Sequence, residues 1–132
     1  MIDQYLKIEP HSMKTDLKRE TMLKNLNQLS RHHYNNCSKY RQIIDGLWDG
    51  KILAKKVEEV PFIPVSLFKS HELCSVDKAD IRSTMTSSGT TGQKVSKINI
   101  DNKTSQDQQK GLANSLQHIL GKKRLPMLIL DT

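Results

Sequence analysis

Only two cysteines, Cys37 and Cys74, occur in the 132 residues. They lack the close spacing of a metal knuckle and are too few for a disulfide framework. The expectation is a reducing compartment, hence a cytoplasmic protein, with both thiols acting as small half-buried side chains. Aromatic residues make up 5% of the chain, which leaves little to stack on nucleic-acid bases. A net charge of +7 otherwise invites a nucleic-acid reading. The lysines and arginines are scattered, however, and no nucleic-acid motif accompanies them, so no such partner is expected. No apolar run approaches the ~20 residues that cross a bilayer, so no membrane span is expected. Residues 1–6 lack the basic region and apolar core of a signal peptide. His32 and His33 are adjacent, about 100° apart on a helix, and so do not form the i, i+4 pair used by metal sites. No metal ligands are expected in this chain.

The periodicity that is present predicts helices and a few extended segments. After Pro10, Ser12 or Thr15 can cap a helix in which Leu17, Met22, Leu26, Leu29 and His33 recur near helical spacing. Asn35-Asn36-Cys37-Ser38 breaks it. Tyr40, Ile43, Ile44, Leu47 and Trp48 form an i, i+3, i+4, i+7, i+8 stripe on a second helix, which Gly50 ends. Pro61 and Pro64 exclude a continuous helix across residues 57–65 and favour extended chain, with Phe62, Ile63, Val65, Leu67 and Phe68 available to pack on the helical pair. Residues 77–80 read as a short polar helix or turn. Asn102 or Thr104 can cap a third helix with Leu112, Leu116, Ile119 and Leu120 on its apolar face and Gly121 as its stop. An apolar run, residues 128–132, reads as a buried strand. The fold class is α/β: amphipathic helices packed with a partial β-sheet.

One stretch is not explained by folding alone. Thr86-Ser87-Ser88-Gly89-Thr90-Thr91-Gly92 packs five hydroxyls and two glycines into seven residues, followed by Lys94 and Lys97. Glycines let backbone N–H groups converge and Ser/Thr hydroxyls add short donors, an arrangement that suits a polyphosphate. The bland alternative is a polar surface loop. The stretch is not a Walker A loop, because Gly89 and Gly92 are too close together and no helix follows. Residues 81–86 and 95–100 read as extended, which gives a strand–loop–strand hairpin.

Ser-Ser-Gly-Thr-Thr-Gly, entered through Met85-Thr86, resembles the phosphate-binding loop of the adenylate-forming acyl/aryl ligase superfamily. Together with Arg31-His32-His33-Tyr34, Cys37-Ser38-Lys39-Tyr40-Arg41, Pro61-Phe62-Ile63-Pro64-Val65-Ser66-Leu67-Phe68-Lys69-Ser70 and Gly121-Lys122-Lys123-Arg124-Leu125-Pro126-Met127, it resembles the LuxE-type acyl-protein synthetases, near the phenylacetate–coenzyme A ligases. The resemblance implies activation of a carboxylic or fatty acid by ATP and Mg²⁺ to an acyl-adenylate. Transfer to a protein thiol follows, with an acyl acceptor such as an acyl reductase as partner. It implies phosphate binding by Ser87, Ser88, Gly89, Thr90, Thr91 and Gly92. Lysine stands at position 94, where many superfamily members have proline, and Val95 where they have a polar residue, so neither Lys94 nor Lys97 is assigned a role.

Members of that family are much longer. The resemblance therefore implies an N-terminal portion, with a helical segment over residues 1–56 and the start of the nucleotide-binding α/β domain over residues 57–132, including the loop at 86–92. The adenine pocket, the Mg²⁺-binding acid, the acyl-carrying cysteine and most of the acyl pocket would lie downstream. No catalytic residue is expected in these 132 residues, and the isolated chain is expected to form no acyl-adenylate. The competing reading is a non-catalytic phosphate-binding or protein-interaction module derived from such an enzyme.

Overall fold

The computed structural model describes residues 5–9, 11–87, 94–123, 126 and 128. They run in the order α1 (Thr15–Asn36), α2 (Ser38–Trp48), α3 (Leu67–Ser70), β1 (Ile81–Thr86), β2 (Lys97–Asp101) and α4 (Asn102–Leu120), with single 3₁₀ turns at Val57–Glu59 and Lys78–Asp80. The chain divides into two compact units, residues 14–105 and residues 1–13 with 106–132. The class is mixed α and β, as the sequence pattern predicts. The 3₁₀ turn at Lys78–Asp80 is the short polar element anticipated there.

Within residues 14–105, α1 packs on α2 and α3 packs on β2. Cys37 alone separates the first two helices, in an extended conformation (φ −128°, ψ 103°). Its Sγ accepts the Tyr40 N–H and so caps α2. At the other end, Asp49 (φ 50°) and Gly50 (φ 68°) turn left-handed, which stops α2 where the glycine predicts a stop. Ile44, on the predicted stripe of α2, has no exposed surface. Several side chains tie the pair to its connections. Asn27 Nδ2 donates to the Ala54 carbonyl and Asn27 Oδ1 accepts the Ala54 N–H, both at 2.9 Å. Arg41 donates to the Tyr34 and Asn35 carbonyls at the end of α1, where the helix leaves carbonyls unpaired, and its guanidinium lies 5.3 Å from the Tyr34 ring centre. Arg19 pairs with Glu58 across the chain.

The predicted N-terminal caps differ from those observed. Lys14 stands at the N-cap of α1 with no side-chain bond, and the Ser12 hydroxyl turns back to the Glu9 carbonyl instead. At α4 it is Asp101, the last residue of β2, whose Oδ1 accepts the Thr104 N–H. The apolar stripes are also less covered than periodicity suggests. Leu17, Met22 and Leu29 on α1 are each about half exposed, and Phe62 and Val65 are each 70% exposed. Phe62 still meets Trp48 edge to face, with ring centres 5.5 Å apart.

β1 and β2 form a two-stranded antiparallel hairpin paired from Thr86↔Lys97 to Ile81↔Asp101, with a bulge between Ile81 and Ser83. This is the strand–loop–strand setting expected around the hydroxyl-rich segment. β1 is exposed along nearly its whole length, whereas Ile100 of β2 is buried.

In the other unit, the body of α4 carries Leu112, Leu116, Ile119 and Leu120, all exposed. Its end matches the prediction: Gly121 takes φ 81° and its N–H closes on the Gln117 carbonyl. The His11 and His118 rings lie 6.2 Å apart. The strand expected at residues 128–132 lies, apart from Leu128, outside the described residues. No described helix is long and apolar enough to cross a membrane.

Candidate functional site

The neck of the hairpin is closed by two reciprocal bonds. The Ser87 N–H donates to the Ser96 carbonyl (3.1 Å) and the Ser96 N–H donates to Ser87 Oγ (3.0 Å). Ser96 is buried while Ser87 is exposed. Residues 87 and 96 are thus clamped together. Ser87 Oγ accepts in this clamp, which leaves its own O–H free to donate elsewhere. Ser88, Gly89, Thr90, Thr91 and Gly92 lie outside the described residues.

Below the neck is a cavity of about 470 Å³. Leu29, Ile63, Phe68, Leu73, Val76 and Ile98 supply its apolar wall, and His33, Cys37, Tyr40, Cys74, Ser75, Asn99 and Asp101 also reach it. All of them belong to the unit of residues 14–105. The α1–α2 bend brings His33, Cys37 and Tyr40 to one side. β2 carries Ile98, Asn99 and Asp101 to another, and the extended chain after α3 contributes residues 73–76.

The helical stripe places His33 on the inner side of α1, and the structure adds a partner that the stripe does not indicate. His33 Nδ1 and Ser75 Oγ are 2.7 Å apart across 42 positions of sequence. The Tyr40 ring meets the imidazole edge to face at 5.9 Å. Burial holds the His33 pKa below its ordinary value, and repulsion from His32 adds to the effect, so the imidazole is neutral near pH 7. The position of His33 on the apolar stripe of α1 was the one local sign that it faces inward. The Asp101 carboxylate is held below the usual carboxylate range by the backbone N–H of Thr104. Among the described residues no three His, Cys, Asp or Glu side chains gather to hold a metal ion.

A family model, described as acyl-protein synthetase, LuxE, matches residues 1–132. The chain belongs to the LuxE acyl-protein synthetase family. Two curated ligases are similar to this LuxE chain. The long-chain-fatty-acid–luciferin-component ligase of Vibrio harveyi is 35% identical over 63 residues, 48% of this chain and 16% of the relative. Its namesake from Photorhabdus luminescens is 37% identical over 65 residues, 48% of this chain and 54% of the relative. The matched region thus spans from one sixth to about half of each relative's length. No solved structure matches the LuxE chain.

Proposed function

We propose that this chain forms part of an ATP-dependent ligase that activates a long-chain fatty acid as an acyl-adenylate and passes the acyl group to a protein thiol. The family match along all 132 residues carries this reading. Both similar ligases are named for long-chain fatty acids and a luciferin component, which favours a fatty acid as the substrate and a protein as the acceptor. An acyl reductase is the acceptor we favour.

The chemistry assigns the loop its task. When a carboxylate oxygen attacks the α-phosphorus of ATP, the P–O bond to the β-phosphate breaks and negative charge grows on departing pyrophosphate. Donors fixed around that group stabilise the charge without rearranging during the reaction. Ser87, Ser88, Gly89, Thr90, Thr91 and Gly92 would hold the phosphates. Their residue types fit a polyphosphate, and the Ser87–Ser96 clamp would fix where the donors start. Bound Mg²⁺ would share the phosphate charge. No ligand set for it is assigned in this chain.

The test is fatty-acid-dependent ATP–pyrophosphate exchange by the whole protein. Thr90→Ala combined with Thr91→Ala should lower exchange by about 10²-fold or more. An unchanged rate in the double variant would remove the loop from the mechanism.

A further inference from the structure

We propose that Ser75 and His33 form a nucleophile–base pair that attacks the carbonyl carbon of a small carboxylic ester held in the cavity between α1, α2 and β2. The inference stands on the pair and its cavity and does not depend on the ligase reading.

Geometry supplies the first argument. Ser75 Oγ lies 2.7 Å from His33 Nδ1, within reach for proton transfer. With the imidazole protonated on Nε2, Nδ1 accepts the Ser75 O–H, the direction in which a base takes the proton of an attacking hydroxyl. Both side chains are half-buried, and both reach the cavity of about 470 Å³, a volume within the range of small-molecule pockets. The Tyr40 ring meets the imidazole edge to face and restricts how it can turn. Burial, aided by repulsion from His32, keeps the imidazole in the neutral form that can accept a proton near pH 7.

The competing groups on the wall are committed elsewhere. Cys74 Sγ donates to the Val76 carbonyl, Cys37 Sγ accepts the Tyr40 N–H, and the Asp101 carboxylate accepts the Thr104 N–H. Asn99 Oδ1 accepts the Thr84 hydroxyl, which leaves Nδ2 as an amide donor beside the cavity. An ester suits such a wall: its oxygens accept hydrogen bonds, and its apolar ends match Ile63, Phe68 and Leu73. In the reaction, Ser75 Oγ bonds to the carbonyl carbon while its proton passes to His33 Nδ1. The tetrahedral adduct expels the alcohol, which takes that proton, and leaves an acyl-serine ester. Water then gives a proton to the same nitrogen, attacks the acyl carbon, releases the carboxylic acid and restores Ser75.

The probe is p-nitrophenyl acetate, with p-nitrophenolate release followed on the purified protein and the acetylated site located by peptide fragmentation. The acetyl group should sit on Ser75, in the tryptic peptide of residues 70–78. Ser75→Ala should abolish it, and His33→Gln should slow it by about 10²-fold or more. The rate should be level above about pH 6.5 and fall below it as His33 takes up a proton; a rate still climbing through pH 8 would make hydroxide the base. A second probe needs no variant. Phenylmethylsulfonyl fluoride should sulfonylate Ser75 with loss of fluoride in the folded protein, and should leave Ser75 untouched in urea. Acetyl found on Cys74 or on lysines in place of Ser75, equal rates with and without His33, or sulfonylation that survives unfolding overturns the proposal.

Discussion

The α1–α2 pair ties its connections down with side chains, whereas the β1–β2 hairpin is held chiefly by its own backbone. Asn27 grips both polar groups of Ala54, Arg41 reaches back to two carbonyls of α1, and Ile44 is wholly buried. Among its described residues the hairpin has its ladder, the Thr84–Asn99 side-chain bond, the Ser87–Ser96 clamp at its neck and two buried residues, Ser96 and Ile100. A part fixed by long-range side-chain bonds behaves as a platform. A ladder exposed on β1 holds the two ends of a loop together and leaves most side chains outside. In the proposed ligase, such a hairpin would carry the phosphate loop on a separately braced base.

Ile44→Ala should break the braced half most severely. Removing a fully buried isoleucine costs about 2–5 kcal/mol through lost transfer energy and the cavity left behind, to be read from the midpoint of urea denaturation. A smaller effect should follow pH. The folded-state pKa of His33 is lowered, so below about pH 6.5, the ordinary histidine value, the unfolded chain binds more protons than the folded one. Stability contributed by neutral His33 is complete above that pH and is lost as the pH falls through the folded pKa. His33→Gln should flatten this dependence in denaturation measured from pH 7.5 down to 5, while an unchanged slope would mean that other groups carry it. The smallest effect belongs to the hairpin. Thr84→Val removes the bond to Asn99 on an exposed strand and should cost less than about 1 kcal/mol. A loss as large as that of Ile44→Ala would erase the distinction drawn between the two halves.

Local punctuation was legible in the sequence because its physics is local. The Asn-Asn-Cys-Ser break, the left-handed stops at Gly50 and Gly121, and the β-branched strands beside the loop all act within a few residues. The family resemblance was likewise legible from the loop and the segments around Tyr34, Tyr40 and Phe62. What escaped depends on distance. His33 and Ser75 meet only after the chain has folded back over 42 positions, and no periodicity records such an encounter. The cap of α4 falls one residue before Asn102 and three before Thr104, because the end of β2 places the Asp101 carboxylate over the first turn of the helix. Periodicity also identified the apolar side of α4 without saying whether anything covers it; Leu112 and Ile119 are 62% and 77% exposed.

The single residue at Cys37 has an implication for how this sequence can vary. With one extended residue between two helices, the direction of α2 is set by one pair of dihedral angles. A residue inserted within α2 ahead of Ile44 would rotate the remaining stripe by about 100° and swing the fully covered isoleucine toward solvent. Length changes should therefore be purged between Asn36 and Ile44 more strictly than substitutions of the exposed side chains there, and an aligned set of relatives with gaps at this joint would mean that the two helices meet in more than one way.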